Sequence, residues 1–328
     1  MQSIWIFFLL LASALLPPPA AAKTAADHAK PLHSAYALLD KGDYAHAYPA
    51  FLRQSDKNPL AQFTLGLFHQ VGWGRPVDQD AACAWFAKAA KGKIPTAQHY
   101  TGDCLMRSPD VPGNARAALA NYLAAAEGGH KISLCSAAEF YIRGRYVARD
   151  VARGLNLCSE AAMANSPPAM LMLANYLQND PDIPRDLAGA RHWYQLAAGH
   201  GVAEARYQLA IMQSQGDGGP VDSSAALASM EALAAAGYAP AYLPTAVLYA
   251  HQPGRADTGA PSAENLAKVY LWASAAKARL ADPGPAEKLL ASVLAVMPAE
   301  WLPALDRKVA DHLAKFAAPR ATGAPPGA

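Results

Sequence analysis

Four residues of this chain are equipped for redox chemistry: Cys83, Cys104, Cys135 and Cys158. Thiols of this kind pair in an oxidising compartment. Cys83 and Cys104 are equidistant from a turn centred near Lys93 and Ile94, and Cys135 and Cys158 repeat the arrangement about Tyr146 and Val147. In an antiparallel helix pair, residues equidistant from the turn lie at one height. The expected bridges are therefore Cys83–Cys104 and Cys135–Cys158, each worth about 3 kcal/mol for loops near this length. The alternative is four buried thiols, since repeat-related positions hold apolar side chains, Phe68 for Cys104 and Tyr122 for Cys158. A nucleophile of another type is offered by Ser274-Ala275-Ala276-Lys277, which has the Ser-x-x-Lys form of penicillin-interacting enzymes. It lacks a Ser-Asp-Asn or Lys-Thr-Gly partner. The ten histidines show no ligand spacing, no pair at i and i+4 encloses a glutamate, and no Cys-x-x-Cys occurs. No metal or cofactor is expected. Gly216-Asp217-Gly218-Gly219 follows a helical pattern rather than a strand, so it is a turn and not a phosphate loop.

The elements that must position these residues are set by a repeat. Residues 61–72 return every 36 residues: Ala61 is followed by Ala97, Ser133, Ala169, Ala205 and Ala241. Asp78, Asn114, Asp150, Asp186 and Asp222 keep the same step, as do Ala89-Ala90, Ala125-Ala126, Ala161-Ala162 and Ala197-Ala198, fading to Leu233-Ala234. A period of this size signals stacked supersecondary units. The first part of each unit has small or apolar residues spaced by three and four, as at Ala61, Leu65, Gly66 and His69, which is one face of a helix. A Gly/Pro/Asp loop ends it, and the ladder Asp or Asn is expected to cap the second helix. That second helix carries an aromatic or apolar pair before the Ala-Ala step, as in Trp85-Phe86 and Trp193-Tyr194. Gly129, Gly201 and Gly237 mark the turn into the next unit. Alanine and glycine let helix axes approach, and stacking supplies the core that a lone hairpin lacks.

The pattern Ala-x-x-x-Leu-Gly, Gly-x-Gly, Asp, Ala-x-x-Trp-Tyr-x-x-Ala-Ala resembles the Sel-1-like repeat, a relative of the tetratricopeptide repeat. Ala61, Leu65, Gly66, Gly72, Gly74, Asp78, Ala82, Trp85, Ala89 and Ala90 carry it in the first unit. In the fourth it rests on Ala169, Leu173, Asp186, Ala190, Trp193, Tyr194, Ala197, Ala198 and Gly201. It covers residues 30–317, with Asn121 and Leu157 in place of the tryptophan in the second and third units. The resemblance implies an all-α fold, an α-solenoid of stacked antiparallel helix pairs. It also implies an adaptor that binds a protein or peptide, as members scaffold envelope assemblies, signalling systems or exopolysaccharide machinery. Cysteine-rich secreted members bridge their helix pairs, in keeping with the pairing above. Some have been catalogued as β-lactamases, so the rival reading is a hydrolase of cell-wall or β-lactam substrates. In such arrays the first helix of each unit lines the concave side. By analogy with tetratricopeptide positions the groove candidates are His99, Asp103, Glu139, Arg143, Asn175, Gln178 and Tyr207; the alternative is an ordinary solvated face. A glycan binder would need a row of exposed aromatics there, where Tyr207 stands alone.

The rest of the chain is read around this array. Residues 4–16 are an apolar run too short to span a bilayer comfortably. With Pro17-Pro18-Pro19 and Ala20-Ala21-Ala22 after it, residues 1–22 are expected to be a secretory signal peptide cut after Ala22. The alternative is a retained N-terminal anchor, because no Lys or Arg precedes the apolar run. No cysteine precedes Cys83, which excludes a lipoprotein anchor. The expected layout is a capping hairpin at 23–58, six repeats at 59–280, closing helices at 281–317 and a disordered Pro/Gly/Ala tail at 318–328. The sixth repeat carries an insertion within 252–262. The expected location is periplasmic or secreted, with no stable membrane insertion once the leader is removed. With 28 basic and 26 acidic residues, a net charge of +2 and no basic stripe, no nucleic acid is expected as partner.

Overall fold

The computed structural model describes residues 25–254 and 260–316. The expected signal peptide, the expected tail and part of the 252–262 insertion lie outside the described residues. What is described is helices and turns, without a strand among the described residues. Three helices lead: α1 (Ala25–Ala29), α2 (His33–Asp40) and α3 (Tyr44–Gln54). Six pairs follow. They are α4 (Pro59–Val71) with α5 (Gln79–Lys91), α6 (Pro95–Met106) with α7 (Asn114–Glu127), and α8 (Ser133–Arg143) with α9 (Val151–Met163). Then come α10 (Pro167–Asn179) with α11 (Leu187–Gly199), α12 (Ala203–Gln215) with α13 (Ser223–Ala235), and α14 (Tyr242–Ala250) with α15 (Ala263–Arg279). Helices α16 (Gly284–Leu294) and α17 (Leu302–Lys315) end the described chain. The two helices of a unit pack most heavily on each other, and the second helix of each unit packs next on the first helix of the following one. The fold is an all-α solenoid.

The aspartate ladder does two things at each step. The side chains of Asp78, Asp150, Asp186 and Asp222 accept from the N–H groups of Ala81, Arg153, Gly189 and Ala225, which caps α5, α9, α11 and α13. The backbone N–H groups of the same residues donate to the carbonyls of His69, Tyr141, Leu177 and Gln213 at 2.8–2.9 Å, tying each loop to the helix before it. Asn114 departs from the expectation. Its loop holds Pro112 and Gly113, and Gly113 at φ 90° already serves as the cap. Asn114 is then the first helical residue, and its amide turns back to donate to the Ser108 carbonyl at 2.9 Å.

The turn between units needs a left-handed residue at one fixed register. Gly129, Gly201 and Gly237 supply it at φ 103°, 84° and 86°, while Lys93 and Asn165 adopt φ 57° and 63° at the same step. A side chain in that region costs about 1–2 kcal/mol relative to glycine. Lys93→Gly is therefore expected to raise stability by about 1 kcal/mol in urea unfolding, despite the added freedom of the unfolded chain.

Both expected bridges are formed: Cys83 with Cys104 and Cys135 with Cys158, leaving no free cysteine among the described residues. Cys135 and Cys158 are fully buried, whereas Cys83 and Cys104 are partly exposed. The positions of the missing tryptophans are only partly buried in every unit, Trp85 and Trp193 included, so Asn121 and Leu157 open no hole in the core. At the far end, α17 lies on α15. Phe316 seats over Gly237, where an added Cβ would stand 2.4 Å from the ring. His312 meets the Tyr242 hydroxyl at 3.0 Å.

Candidate functional surface

The seven groove candidates all lie on first helices, α6, α8, α10 and α12, but six of them are bound to other parts of the chain. They fall into three polar clusters, with Tyr207 apart.

The first cluster joins α6, α7 and α8. His99 Nδ1 and His130 Nδ1 both reach the Ser133 hydroxyl, at 2.9 and 2.7 Å. His99 Nε2 stands 3.5 Å from Asp103 Oδ2, and the Tyr122 hydroxyl donates to Asp103 Oδ1 at 2.7 Å. One hydroxyl proton cannot serve two imidazoles. The consistent order is His130 Nδ1–H donating to Ser133, Ser133 donating to His99 Nδ1, and His99 Nε2–H directed at Asp103. Both histidines are neutral in this order. Burial pushes their pKa values down; the Asp103 charge opposes this for both, and mutual repulsion adds to it for His130. Burial and the bond to Asp103 push the Tyr122 phenol up. A serine, an imidazole and a carboxylate in a row are the parts of an acyl-transfer site. Ser133 is 0% exposed, however, so its hydroxyl meets no substrate here.

This cluster makes stability pH-dependent. Above the ordinary histidine range, near 6.5, folded and unfolded chains bind the same protons and the contribution is intact. As pH falls through that range, the unfolded chain protonates first, and stability is lost until the depressed folded values are passed. His69 and His312 are also pushed down by burial and act in the same direction. Urea midpoints are expected to fall between pH 7.5 and 5. Ser133→Ala is expected to cost about 2 kcal/mol at pH 7.5, because two imidazole nitrogens lose their partner.

The second cluster is centred on Arg143. Its guanidinium bonds Glu139 at 3.0 Å, Asp182 at 2.7 Å and both oxygens of Asp180. Glu139 in turn accepts from the Tyr176 hydroxyl at 2.6 Å, and Arg149 bonds Asp182 at 3.0 Å. The bond to Arg143 holds the Asp180 carboxyl below the usual range. Arg143 thus fastens the third unit to the fourth. In the third cluster, the Tyr194 hydroxyl lies 2.6 Å from Asn175 and 2.7 Å from Gln178. A phenol has one proton, so one of these amides presents its –NH2 to it. Tyr207 packs beside Tyr238, with ring centroids 5.8 Å apart.

The sequence carried one clue to the first cluster. Ser133 is the lone hydroxyl in the alanine ladder Ala61, Ala97, Ser133, Ala169, Ala205 and Ala241. Tyr122 and Tyr194 share the second-helix aromatic register, which read as core filling. Asp180 and Asp182 sit in a loop and gave no signal.

Ser274 and Lys277 lie three residues apart on α15. The Lys277 ammonium pairs with Glu287 at 3.1 Å. No cluster among the described residues has the composition of a metal site. No helix among them is long and apolar enough to cross a membrane.

The sequence matches the profile of the Sel1 repeat five times, at residues 59–93, 95–130, 132–166, 167–202 and 203–238. Two curated relatives are named exopolysaccharide production negative regulator. The Rhizobium meliloti protein is 37% identical over 115 residues, 31% of this chain and 43% of that one. The Rhizobium leguminosarum bv. viciae protein is 35% identical over 121 residues, 33% of this chain and 45% of that one. An uncharacterized protein of Neisseria meningitidis is 33% identical over 103 residues, 31% of this chain and 22% of its own length. The chain therefore spans less than half of the curated relatives it matches. Among solved structures, c5321, a protective antigen present in uropathogenic Escherichia coli strains displaying an SLR fold, superposes with a TM-score of 0.64 and 18% identity, over 90% of this chain and 65% of that one. A Sel1 repeat protein from Oxalobacter formigenes superposes with a TM-score of 0.61 and 21% identity, over 75% and 99%. These two likenesses concern the fold.

Proposed function

Because the chain belongs to the Sel1 repeat family, we propose that it is a non-enzymatic scaffold of the bacterial cell envelope, binding a protein or peptide on the concave face of its first helices. The observation that carries this reading is the stack itself: six successive helix pairs whose first helices bear polar side chains, held in place by bonds within the chain, and a tyrosine pair, Tyr207 and Tyr238. Such a surface recognises an extended partner by hydrogen bonds and a few anchors. The two cysteine pairs at bonding distance fit a location outside the cytoplasm, which supports the periplasmic reading. The engagement of Lys277 by Glu287 and the burial of Ser133 speak against a hydrolase. The relatives named for exopolysaccharide production put control of surface polysaccharide among the processes such a scaffold would serve.

The test is cross-linking of residues 23–328 in the producing cell, with attached proteins identified by mass spectrometry. Gln178→Ala with Tyr207→Ala is the control, since Arg143 holds two units together and is unsuitable. A protein partner lost in this variant is the expected result. Recovery of glycan strands and no protein, or β-lactam turnover abolished by Ser274→Ala, would overturn the reading.

A further inference from the structure

Two adjoining depressions lie where the loop after α6 faces the loop after α8. They measure about 330 and 440 Å³ and share Pro109 and Tyr146. The first is walled by Met106, Pro109, Phe140 and Tyr146, with Arg145 among its lining residues. The second includes Val111, 51% exposed, and Arg116.

Both loops are closed by their own bonds. Val111 N–H donates to Ser108, Asn114 N–H to Val111, and the Asn114 amide to Ser108. Across from them Gly144, at φ 64°, turns the chain, and Arg149 Nε donates back to the Ile142 carbonyl at 3.1 Å. The depressions are thus formed before any ligand arrives, which lowers the entropic cost of binding.

The charges at this edge differ in how firmly they are held. Arg143 and Glu139 also line the first depression, but both are committed to the cluster described above. Arg145 pairs with Asp110 at 3.1 Å, where the two side chains are 64% and 78% exposed, and its guanidinium lies 5.1 Å from the centroid of the Tyr146 ring. A pair so exposed contributes little and yields readily to a competing carboxylate. Arg116 is exposed and makes no ion pair among the described residues. The site therefore offers an apolar floor beside two exposed guanidinium groups, Arg116 without an ion pair among the described residues and Arg145 in one that a competing carboxylate can displace.

We propose that this double depression docks an extended acidic peptide, with one large apolar side chain in the first depression and flanking carboxylates on Arg145 and Arg116. The proposal rests on the scaffold reading and specifies the partner's chemistry. A lysine-flanked peptide would face both arginines and find as opposite charges only Asp110 and Glu139, the latter already bonded to Arg143 and Tyr176.

The test uses a fluorescein-labelled octapeptide with a central phenylalanine flanked by aspartates and glutamates, read by fluorescence anisotropy with the full chain. Replacing the acids by lysines, or the phenylalanine by alanine, is expected to weaken binding about tenfold or more. Arg145→Glu with Arg116→Glu is expected to do the same, with partial rescue by Arg145→Lys and Arg116→Lys. Arg53→Glu, on α3 and outside the residues that line the depressions, is expected to leave binding unchanged; circular dichroism checks that each variant folds. Absence of binding, indifference to the flanking charge, or insensitivity to the charge reversal overturns the proposal. If cross-linking still captures a partner through Gln178 and Tyr207, only this site falls; if both fail, the scaffold reading falls with it.

Discussion

Replacing Cys135 and Cys158 together by alanine is expected to cost about 3 kcal/mol or more of stability in urea unfolding. The bridge closes 23 residues of chain, so breaking it returns loop entropy to the unfolded state. Both sulfurs also lie in the core between the third and fourth units, beside Ala138, Ala161 and Ala169. Alanine in their place leaves unfilled volume, which adds to the loss. The effect should appear as a lower denaturation midpoint under oxidising conditions, with the wild-type chain moved toward the same value by prior reduction of the unfolded protein. An unchanged midpoint would mean that the bridge does not constrain the folded array. The Cys83–Cys104 bridge closes a similar loop, but its sulfurs are partly exposed and Arg107 stands 3.6 Å from Cys83 Sγ. Under mild reductant it is expected to open first, because access governs thiol exchange.

Gly66→Val is expected to destabilise by about 3 kcal/mol, at the upper end for overpacking a filled core. A Cβ at Gly66 would stand 2.4 Å from Phe86 Cε1. Phe86 is 1% exposed and stacks on Tyr100 with centroids 4.9 Å apart, so the ring has nowhere to retreat. Gly102 repeats the arrangement one unit on, where an added Cβ would stand 2.6 Å from the Tyr122 ring. Phe86→Ala in the Gly66→Val background is expected to restore part of the loss, a coupling that a double-mutant cycle reads directly. Additive effects of the two substitutions would show that the close approach of α4 and α5 is not what Gly66 provides.

These glycines explain why the architecture could be read from the sequence. The helix pairs followed from ladders of small residues and aspartates, because close packing and capping each demand particular side chains at fixed positions. Four aspartate caps stand where the spacing put them, and Asn114 shifts because Gly113 already turns the chain. The left-handed turns at Lys93 and Asn165 were hidden, since neither residue type announces that backbone. The candidate surface was legible only as positions. That His99, Asp103, Glu139 and Arg143 spend their hydrogen bonds within the chain depends on partners 19 to 39 residues away, such as Tyr122 and Asp182. No local pattern encodes those contacts. The depressions beside Tyr146 arise from two loops brought face to face by stacking, which periodicity alone does not describe.

The scaffold reading is tested most directly by placing a photoreactive side chain at single positions and recording which ones yield adducts in the producing cell. Gln178, Tyr207 and Val247 sample the first helices; Glu160 and Gln195 are exposed positions on second helices. Adducts with one protein partner at the first-helix positions, and none at Glu160 or Gln195, are the expected result. Adducts confined to Glu160 and Gln195, or none at any position, would contradict the claim that this array holds a protein on the face of its first helices.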